Sequence, residues 1–186
     1  MHRQGGVPDL EGASARAGLC HVLVASGEVG RAEAMAHELL DVTANRPMSV
    51  VHELGLHFLA DCPLVAGEYA ESERRYLTAL SYARSTGLPG RARDEVLGVA
   101  MSLAGQGDSA RAVRLATAAH AEQERVGVES DRWWRSMQDR LIGGARARLA
   151  PDELEEADRI GRETPLDVVL DELLGPAADE DPLSGR

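Results

Sequence analysis

The feature that most constrains the fold is a short turn sequence that recurs every forty residues. A glycine followed by an acidic residue occurs in the same setting at Gly27-Glu28, Gly67-Glu68 and Gly107-Asp108. Each turn follows a stretch rich in Ala, Leu and Val and precedes an amphipathic stretch that contains Ala and Arg. A constant period of this length is typical of stacked helix pairs, because each pair buries its apolar face against its neighbours. The period therefore predicts an all-α solenoid of three helix pairs.

Glycine and an acidic residue have a physical reason to stand together between two helices. Glycine ends the first helix in a left-handed conformation, and the acid lies near the positive N-terminal end of the next helix. We therefore interpret each pair as a helix-turn-helix corner and not as a binding site. The predicted helices are 9–26 with 28–44, 47–64 with 67–86, and 89–105 with 107–126. In the second unit, Pro63 should kink the first helix or end it early, because proline lacks a backbone donor.

After the third unit the pattern changes, and residues 130–174 are predicted to form a helical cap. Its first helix carries Trp133 and Trp134, for which burial against the last repeat is favoured over a role as a ligand platform. Further helices are predicted to begin at Pro151 and, with Thr164 as N-cap, at Pro165. Together, 1–174 form one helical-repeat domain with units at about 9–44, 47–86 and 89–126. The acidic, turn-rich residues 175–186 are expected to be disordered.

Composition excludes several classes of function. The net charge is −11, and a surface that binds nucleic acid needs clustered basic residues. The chain has no lysine, which removes Schiff-base chemistry and the phosphate-binding lysine of a P-loop. Neither a signal peptide nor an apolar run of membrane-spanning length is recognisable, so we expect a cytoplasmic protein. Cys20 and Cys62 lack paired metal-site spacing and are expected to be buried free thiols.

A histidine-containing segment in the second unit resembles the HExxH motif of zinc proteases. His52 and His57 are five residues apart, however, and so diverge by about 140° around a helix, which excludes that zinc site. Glu53, His57 and Asp61 follow each other at four-residue spacing and share one helix face, either lining a groove or facing solvent. A solvated face is the favoured interpretation. An enzyme that uses His52, Glu53 and His57 is retained only as a remote, metal-dependent alternative.

The third unit and the cap resemble a known family. The run 107–127, the segment Arg132-Trp133-Trp134, and the segments 145–149 and 160–170 are similar to the closing tetratricopeptide-like region of actinobacterial regulators. These are LuxR-type and antibiotic-regulatory STAND ATPases, in which helical repeats follow an ATPase module. The resemblance implies a regulatory or sensor region of a transcriptional control protein. No Walker lysine or DNA-binding helix-turn-helix is recognisable, so ATP hydrolysis and promoter binding do not carry over, and any ATPase module would lie outside this chain.

Two functional hypotheses follow, both without catalysis, cofactor or metal. The first is a protein-interaction module whose concave groove, lined by the first helix of each pair, accepts a protein or peptide. The alternative is a module that senses a small-molecule effector in the groove or near Trp133 and Trp134. Neither requires contact with nucleic acid or a membrane. The candidate partner-binding residues are polar side chains, expected to be exposed, on first helices: Arg16, His21, His52, Glu53, His57, Asp61 and Arg93.

Overall fold

The computed structural model describes residues 10–45, 49–127 and 130–176, and these residues form nine α-helices and no strand. The prediction of an all-α chain is therefore confirmed for this part of the sequence. The helices are α1 Leu10–Ala25, α2 Val29–Thr43, α3 Val50–Ala66, α4 Tyr69–Ser85, α5 Pro89–Gln106, α6 Ser109–Val126, α7 Arg132–Arg148, α8 Pro151–Glu163 and α9 Leu166–Leu174. None of these helices is long and apolar enough to cross a membrane.

The predicted helix boundaries agree with the observed ones to within three residues in α1 to α6. One boundary in the cap differs. Thr164 ends α8 and Pro165 is the N-cap of α9, so this helix begins at Leu166. Pro165 has an extended backbone, with ψ at 153°, which places it just outside the helix. Most of the predicted disordered tail, 177–186, lies outside the described residues.

The glycines of the repeated turns have the left-handed conformation that their position predicts. Gly27, Gly67 and Gly107 have φ values of 77°, 80° and 95°. Gly87 and Gly127, which follow the ends of α4 and α6, have φ values of 66° and 68° and are again forty residues apart. Any other residue would be strained at these positions. The forty-residue period thus extends to the ends of the second helices.

The acidic residues of the three turns behave differently from one another. Asp108 caps α6, because its side chain accepts a hydrogen bond from the backbone N–H of Arg111. Glu28 and Glu68 occupy the equivalent N-cap positions of α2 and α4 but make no hydrogen bond of this kind. The glycine conformation, and not the acidic cap, is therefore what the three corners share.

The early helix end expected at Pro63 is wrong, because α3 continues through this residue to Ala66. Proline leaves the carbonyl of the residue four positions earlier, Leu59, without its helical donor. Arg75 Nη1 of α4 donates a hydrogen bond of 2.9 Å to that carbonyl. The same atom also bonds to Glu33 of α2 at 2.7 Å, so a fixed guanidinium replaces the missing N–H.

The first helices of successive units pack against one another. α1 contacts α3, α3 contacts α5, and α5 contacts α7, while each helix up to α6 also packs on the next one along the chain. α8 packs on α6, and α9 contacts α6 and α4. The cap helix α7 therefore extends the row formed by α1, α3 and α5.

The core is built mainly from Ala, Leu and Val, with a few large aromatic residues at defined places. The fully buried Tyr76 of α4 lies against α5 at Gly98, where an added Cβ would be 2.4 Å from the tyrosine ring. Glycine at this position is therefore what allows the ring to approach. Cys20 and Cys62 are buried free thiols, as predicted. Burial, reinforced by the charge of Asp61, raises the pKa of both thiols to about 12.

Candidate functional site

The most unusual feature of the interior is a group of ionisable side chains between α3 and α5. Glu53 and Asp61 of α3 and Glu95 of α5 are 0% exposed, and His57 of α3 is 7% exposed. The expectation that the Glu53, His57 and Asp61 face is solvated is therefore wrong. Their spacing does place them on one helix face, but α5 packs on α3, and Trp134 of α7 lies over the His57 ring.

His57 lies at the centre of this group and has a carboxylate at each ring nitrogen. Its Nδ1 is 2.8 Å from Glu95 Oε1, and its Nε2 is 3.5 Å from Asp61 Oδ2. The other oxygen of Asp61 accepts a hydrogen bond from the hydroxyl of Tyr76. The ring centroid of Trp134 is 5.1 Å from that of His57. The imidazole is thus held in orientation by groups from α3, α4, α5 and α7.

Two arginines of α5 supply the fixed positive charge. Arg91 Nε donates a hydrogen bond of 2.5 Å to Glu53 Oε2, and its Nη2 is 3.6 Å from Glu95 Oε1. Arg91 Nη1 also donates to Asp94 at 2.9 Å. Arg93, which is 5% exposed, forms a two-pronged pair with the same Asp94. The two guanidiniums are therefore shared among three carboxylates.

The group is incompletely satisfied. Glu53 Oε1, Asp61 Oδ2, Glu95 Oε2 and Arg91 Nη2 are buried atoms that have no hydrogen-bond partner among the described residues. A buried polar atom without a partner costs about 1–3 kcal/mol, and more if it carries charge. Three of the four atoms are carboxylate oxygens, so the partners that the group still needs are cations or protons.

The pKa values show how the side chains respond to this deficit. Burial, followed by the nearby Glu95 carboxylate, raises the pKa of Glu53 to about 8. Burial alone would lower the pKa of His57, but the carboxylates of Asp61 and Glu95 outweigh it and raise the pKa to about 10. Burial also raises the pKa of Asp61. In the absence of another cation, the group therefore retains protons.

A cavity of about 180 Å³ opens onto this group. Side chains from all four helices of the first-helix row contribute to its walls. They include His21 of α1, His57 of α3, Arg91 and Arg93 of α5, and Trp133 and Trp134 of α7.

The two tryptophans are the only ones in the chain. Trp134 is 5% exposed, which agrees with the favoured interpretation of burial. Trp133 is half-buried, and the ring of His21 meets it edge-on at 5.7 Å. Since both tryptophans also line the cavity, the packing role and the ligand-platform role are compatible here.

The structure brings most of the sequence-predicted candidates together. Glu53, His57 and Asp61 form the buried group, and His21 and Arg93 lie in the cavity wall. These residues are less exposed than predicted, and α5 and α7 are the helices that cover Glu53, His57 and Asp61 of α3.

Two candidates lie elsewhere. His52 Nδ1 is 2.9 Å from Thr43 Oγ1, and its ring stacks obliquely at 4.8 Å on Tyr82. Arg16 is half-buried on α1 and is not part of the cavity wall. The contacts of His52 are thus with Thr43 and Tyr82, and not with the buried group that contains Glu53 and His57.

Sequence reasoning missed Glu95, Arg91 and Tyr76. A signal was available in the repeat itself, because the residues forty positions before and after His57 are Ala17 and Leu97. Both are buried apolar residues. Alignment of the units would therefore have placed His57 in the core and prompted a search for partners on α5.

Comparison with known proteins adds no assignment: the chain matches no family model, no curated protein and no solved structure.

Proposed function

We propose that this chain is a regulatory helical-repeat module that binds a small polar molecule in the cavity between α1, α3, α5 and α7. The proposal takes the helices as a tetratricopeptide-like solenoid of three pairs closed by the cap α7 to α9. The observation that carries it is the cavity, to which every first helix and both tryptophans contribute. The family resemblance of the third unit and the cap supports a role in regulation.

The cavity wall favours a ligand that has a hydrogen-bond acceptor at one end and a planar or apolar portion at the other. Arg91 Nη2 is a buried donor that has no acceptor among the residues that the structure describes, so an oxygen of the ligand can accept its hydrogen bond. Trp133 offers a half-exposed ring surface on which a planar or apolar portion can pack. A cavity of about 180 Å³ limits the ligand to a small molecule.

The position of the cavity suggests how binding would be transmitted. A ligand in it touches α1, α3, α5 and α7 at once, whereas within the row each helix packs on the one next to it: α1 on α3, α3 on α5 and α5 on α7. Binding would therefore stabilise one set of distances between α1, α3, α5 and α7 over others. The population of molecules would shift toward that arrangement of the helices. A protein or peptide that contacts the first helices would respond to that shift.

Tryptophan emission during a screen of small polar metabolites tests the proposal, because both tryptophans line the cavity. A true ligand should change the emission and also raise the melting temperature. At about 100 times its Kd, a ligand stabilises the folded state by about 2.7 kcal/mol, which corresponds to several degrees.

The matched variants are Arg93→Gln in the cavity wall and Arg16→Gln outside it. Arg93→Gln should weaken binding at least tenfold, whereas Arg16→Gln should leave it unchanged. A screen in which no compound changes emission and melting together would overturn the proposal. Equal weakening by the two substitutions would place the ligand elsewhere.

A further inference from the structure

We propose that Glu53, His57 and Glu95 bind one divalent transition-metal ion, with His57 coordinating through Nδ1. This inference goes beyond the proposed function and does not depend on it, because the ion occupies the buried group at the base of the cavity and needs no small molecule.

The positions of the ligand atoms support the site. One ligand atom from each of Glu53, His57 and Glu95 lies within 4.8 Å of the other two. Ligand atoms around a tetrahedral zinc ion are roughly 3.3 Å apart, so small side-chain rotations complete the geometry. Two of the three side chains come from consecutive turns of α3, and the third comes from α5.

The unsatisfied oxygens provide an independent argument. Glu53 Oε1 and Glu95 Oε2 are fully buried and accept no hydrogen bond from a donor among the described residues, although the two carboxyl groups lie close enough to share a proton. Glu53 Oε2 is already bonded to Arg91, which fixes the carboxylate and leaves Oε1 available. Glu95 Oε1 lies 2.8 Å from His57 Nδ1, so the two ligands are adjacent, and a metal ion would replace the proton of the hydrogen bond between them.

The side chains behind His57 match those that orient metal-bound histidines. Such a histidine usually donates its second ring N–H to a carboxylate, which fixes the tautomer and makes the ligand nitrogen more basic. Here Asp61 Oδ2 lies at an ion-pair distance of 3.5 Å from His57 Nε2, from which a small side-chain rotation would form this hydrogen bond, and Tyr76 donates to the other oxygen of Asp61. Asp61 is therefore a positioning residue and not a ligand.

A divalent cation would balance the charge of the group once its protons are lost. A histidine that binds metal is neutral, so the charges come from four carboxylates and two guanidiniums, which leave two negative charges in excess. The groups counted are Glu53, Asp61, Asp94, Glu95, Arg91 and Arg93. One divalent ion neutralises this excess within the described residues.

The donor set indicates which ions fit. One imidazole nitrogen with two carboxylates suits zinc, manganese or iron(II), whereas calcium and magnesium prefer sites made of oxygen alone. His57 lies in the cavity wall, so a coordination position can face the cavity. A water molecule can complete the coordination there.

The test uses the full chain, stripped with EDTA and then titrated with Co²⁺ and Zn²⁺ without any small molecule. We expect one Co²⁺ per chain with a visible absorption band, displacement of Co²⁺ by Zn²⁺, and quenching of tryptophan emission, because Trp134 lies 5.1 Å from His57. Absence of stoichiometric binding would overturn the proposal. The metabolite screen of the proposed function should be run in EDTA, so that failure of one proposal does not imply failure of the other.

Matched variants localise the ion. Glu53→Gln and Glu95→Gln preserve side-chain shape and should abolish Co²⁺ binding, while Glu38→Gln on the exposed face of α2 should not change it. Asp61→Asn should weaken binding by about 10–100-fold, as expected of a residue that orients a ligand. Circular dichroism confirms that each variant is folded. Wild-type affinity in either folded Gln variant of the ligand pair would exclude the site.

Discussion

Two buried polar networks in this protein use similar residues but differ in how completely they are satisfied. In the cap, Asp158 of α8 accepts hydrogen bonds from Thr117 and Arg146 at one oxygen and from Arg146 at the other. Between α3 and α5, Glu53 and Glu95 each have a buried oxygen that accepts no hydrogen bond from a donor in the described part of the chain. The contrast is that between a structural contact and a candidate site.

The difference concerns what each carboxylate can still bind. Asp158 joins α6, α7 and α8, and its hydrogen bonds with Arg146 and Thr117 lower its pKa. It therefore has no need of a further cation. Glu53 is held by one arginine but shares its surroundings with Glu95, and burial with this neighbour raises its pKa to about 8. A complete network stabilises the fold, and an incomplete one stabilises it only when a proton or a metal ion is added.

The largest effect should come from breaking the satisfied network. Asp158→Ala removes the acceptor of Arg146 and Thr117, and hydrogen bonds to charged groups contribute about 1.5–3 kcal/mol each. Because Arg146 is partly exposed and can be hydrated, we expect the free energy of unfolding to fall by about 2 kcal/mol, measured by urea denaturation. Asp139→Ala, at an exposed site on α7, is the control. A loss equal to that of the control would mean that the Asp158 contacts are not stabilising.

A smaller loss should follow from weakening the unsatisfied group. Tyr76→Phe removes the hydroxyl that donates to Asp61 but keeps the buried ring. We expect the free energy of unfolding to fall by about 1 kcal/mol, the usual net contribution of a hydrogen bond. Metal affinity should fall with it, because Asp61 would orient His57 less firmly. The half-buried Tyr69→Phe serves as the control, and equal effects of both changes on stability and Co²⁺ affinity would contradict the prediction.

The same contrast explains how much could be predicted from the sequence. Helix pairs, corners and boundaries follow from local patterns, since glycine at a left-handed position and apolar periodicity act within a single unit. The face that carries Glu53, His57 and Asp61 was also predictable from four-residue spacing. Whether α5 covers that face depends on contacts between residues almost forty positions apart, such as His57 with Glu95. A single helix pattern contains no information about such contacts.

The early helix end predicted at Pro63 was wrong for a related reason. The local rule is sound, but the guanidinium that replaces the missing donor comes from Arg75 on the next helix. The repeat period gives some information about such non-local contacts, because equivalent positions in different units have similar surroundings. It aligns Asp61 with His21 and Met101, and the burial of Met101 predicts that Asp61 also faces the interior.

The smallest expected effect is a gain in stability, which distinguishes the two networks most clearly. A group whose pKa is raised in the folded state stabilises the protein fully below its unfolded value, and this contribution is lost as pH rises through the folded value. For Glu53 the loss occurs between about 4.5 and about 8. Glu53→Gln imitates the neutral form, so in EDTA at pH 8 we expect its free energy of unfolding to exceed that of wild type by up to about 1 kcal/mol. Asp158→Asn should instead lower the free energy of unfolding, because the pKa of Asp158 is lowered and the contribution of its carboxylate is lost only as pH falls below about 4. Urea denaturation between pH 5 and pH 8 measures the change in the free energy of unfolding for each variant. A Glu53→Gln protein that is less stable than wild type throughout this range would show that the charged carboxylate stabilises the fold.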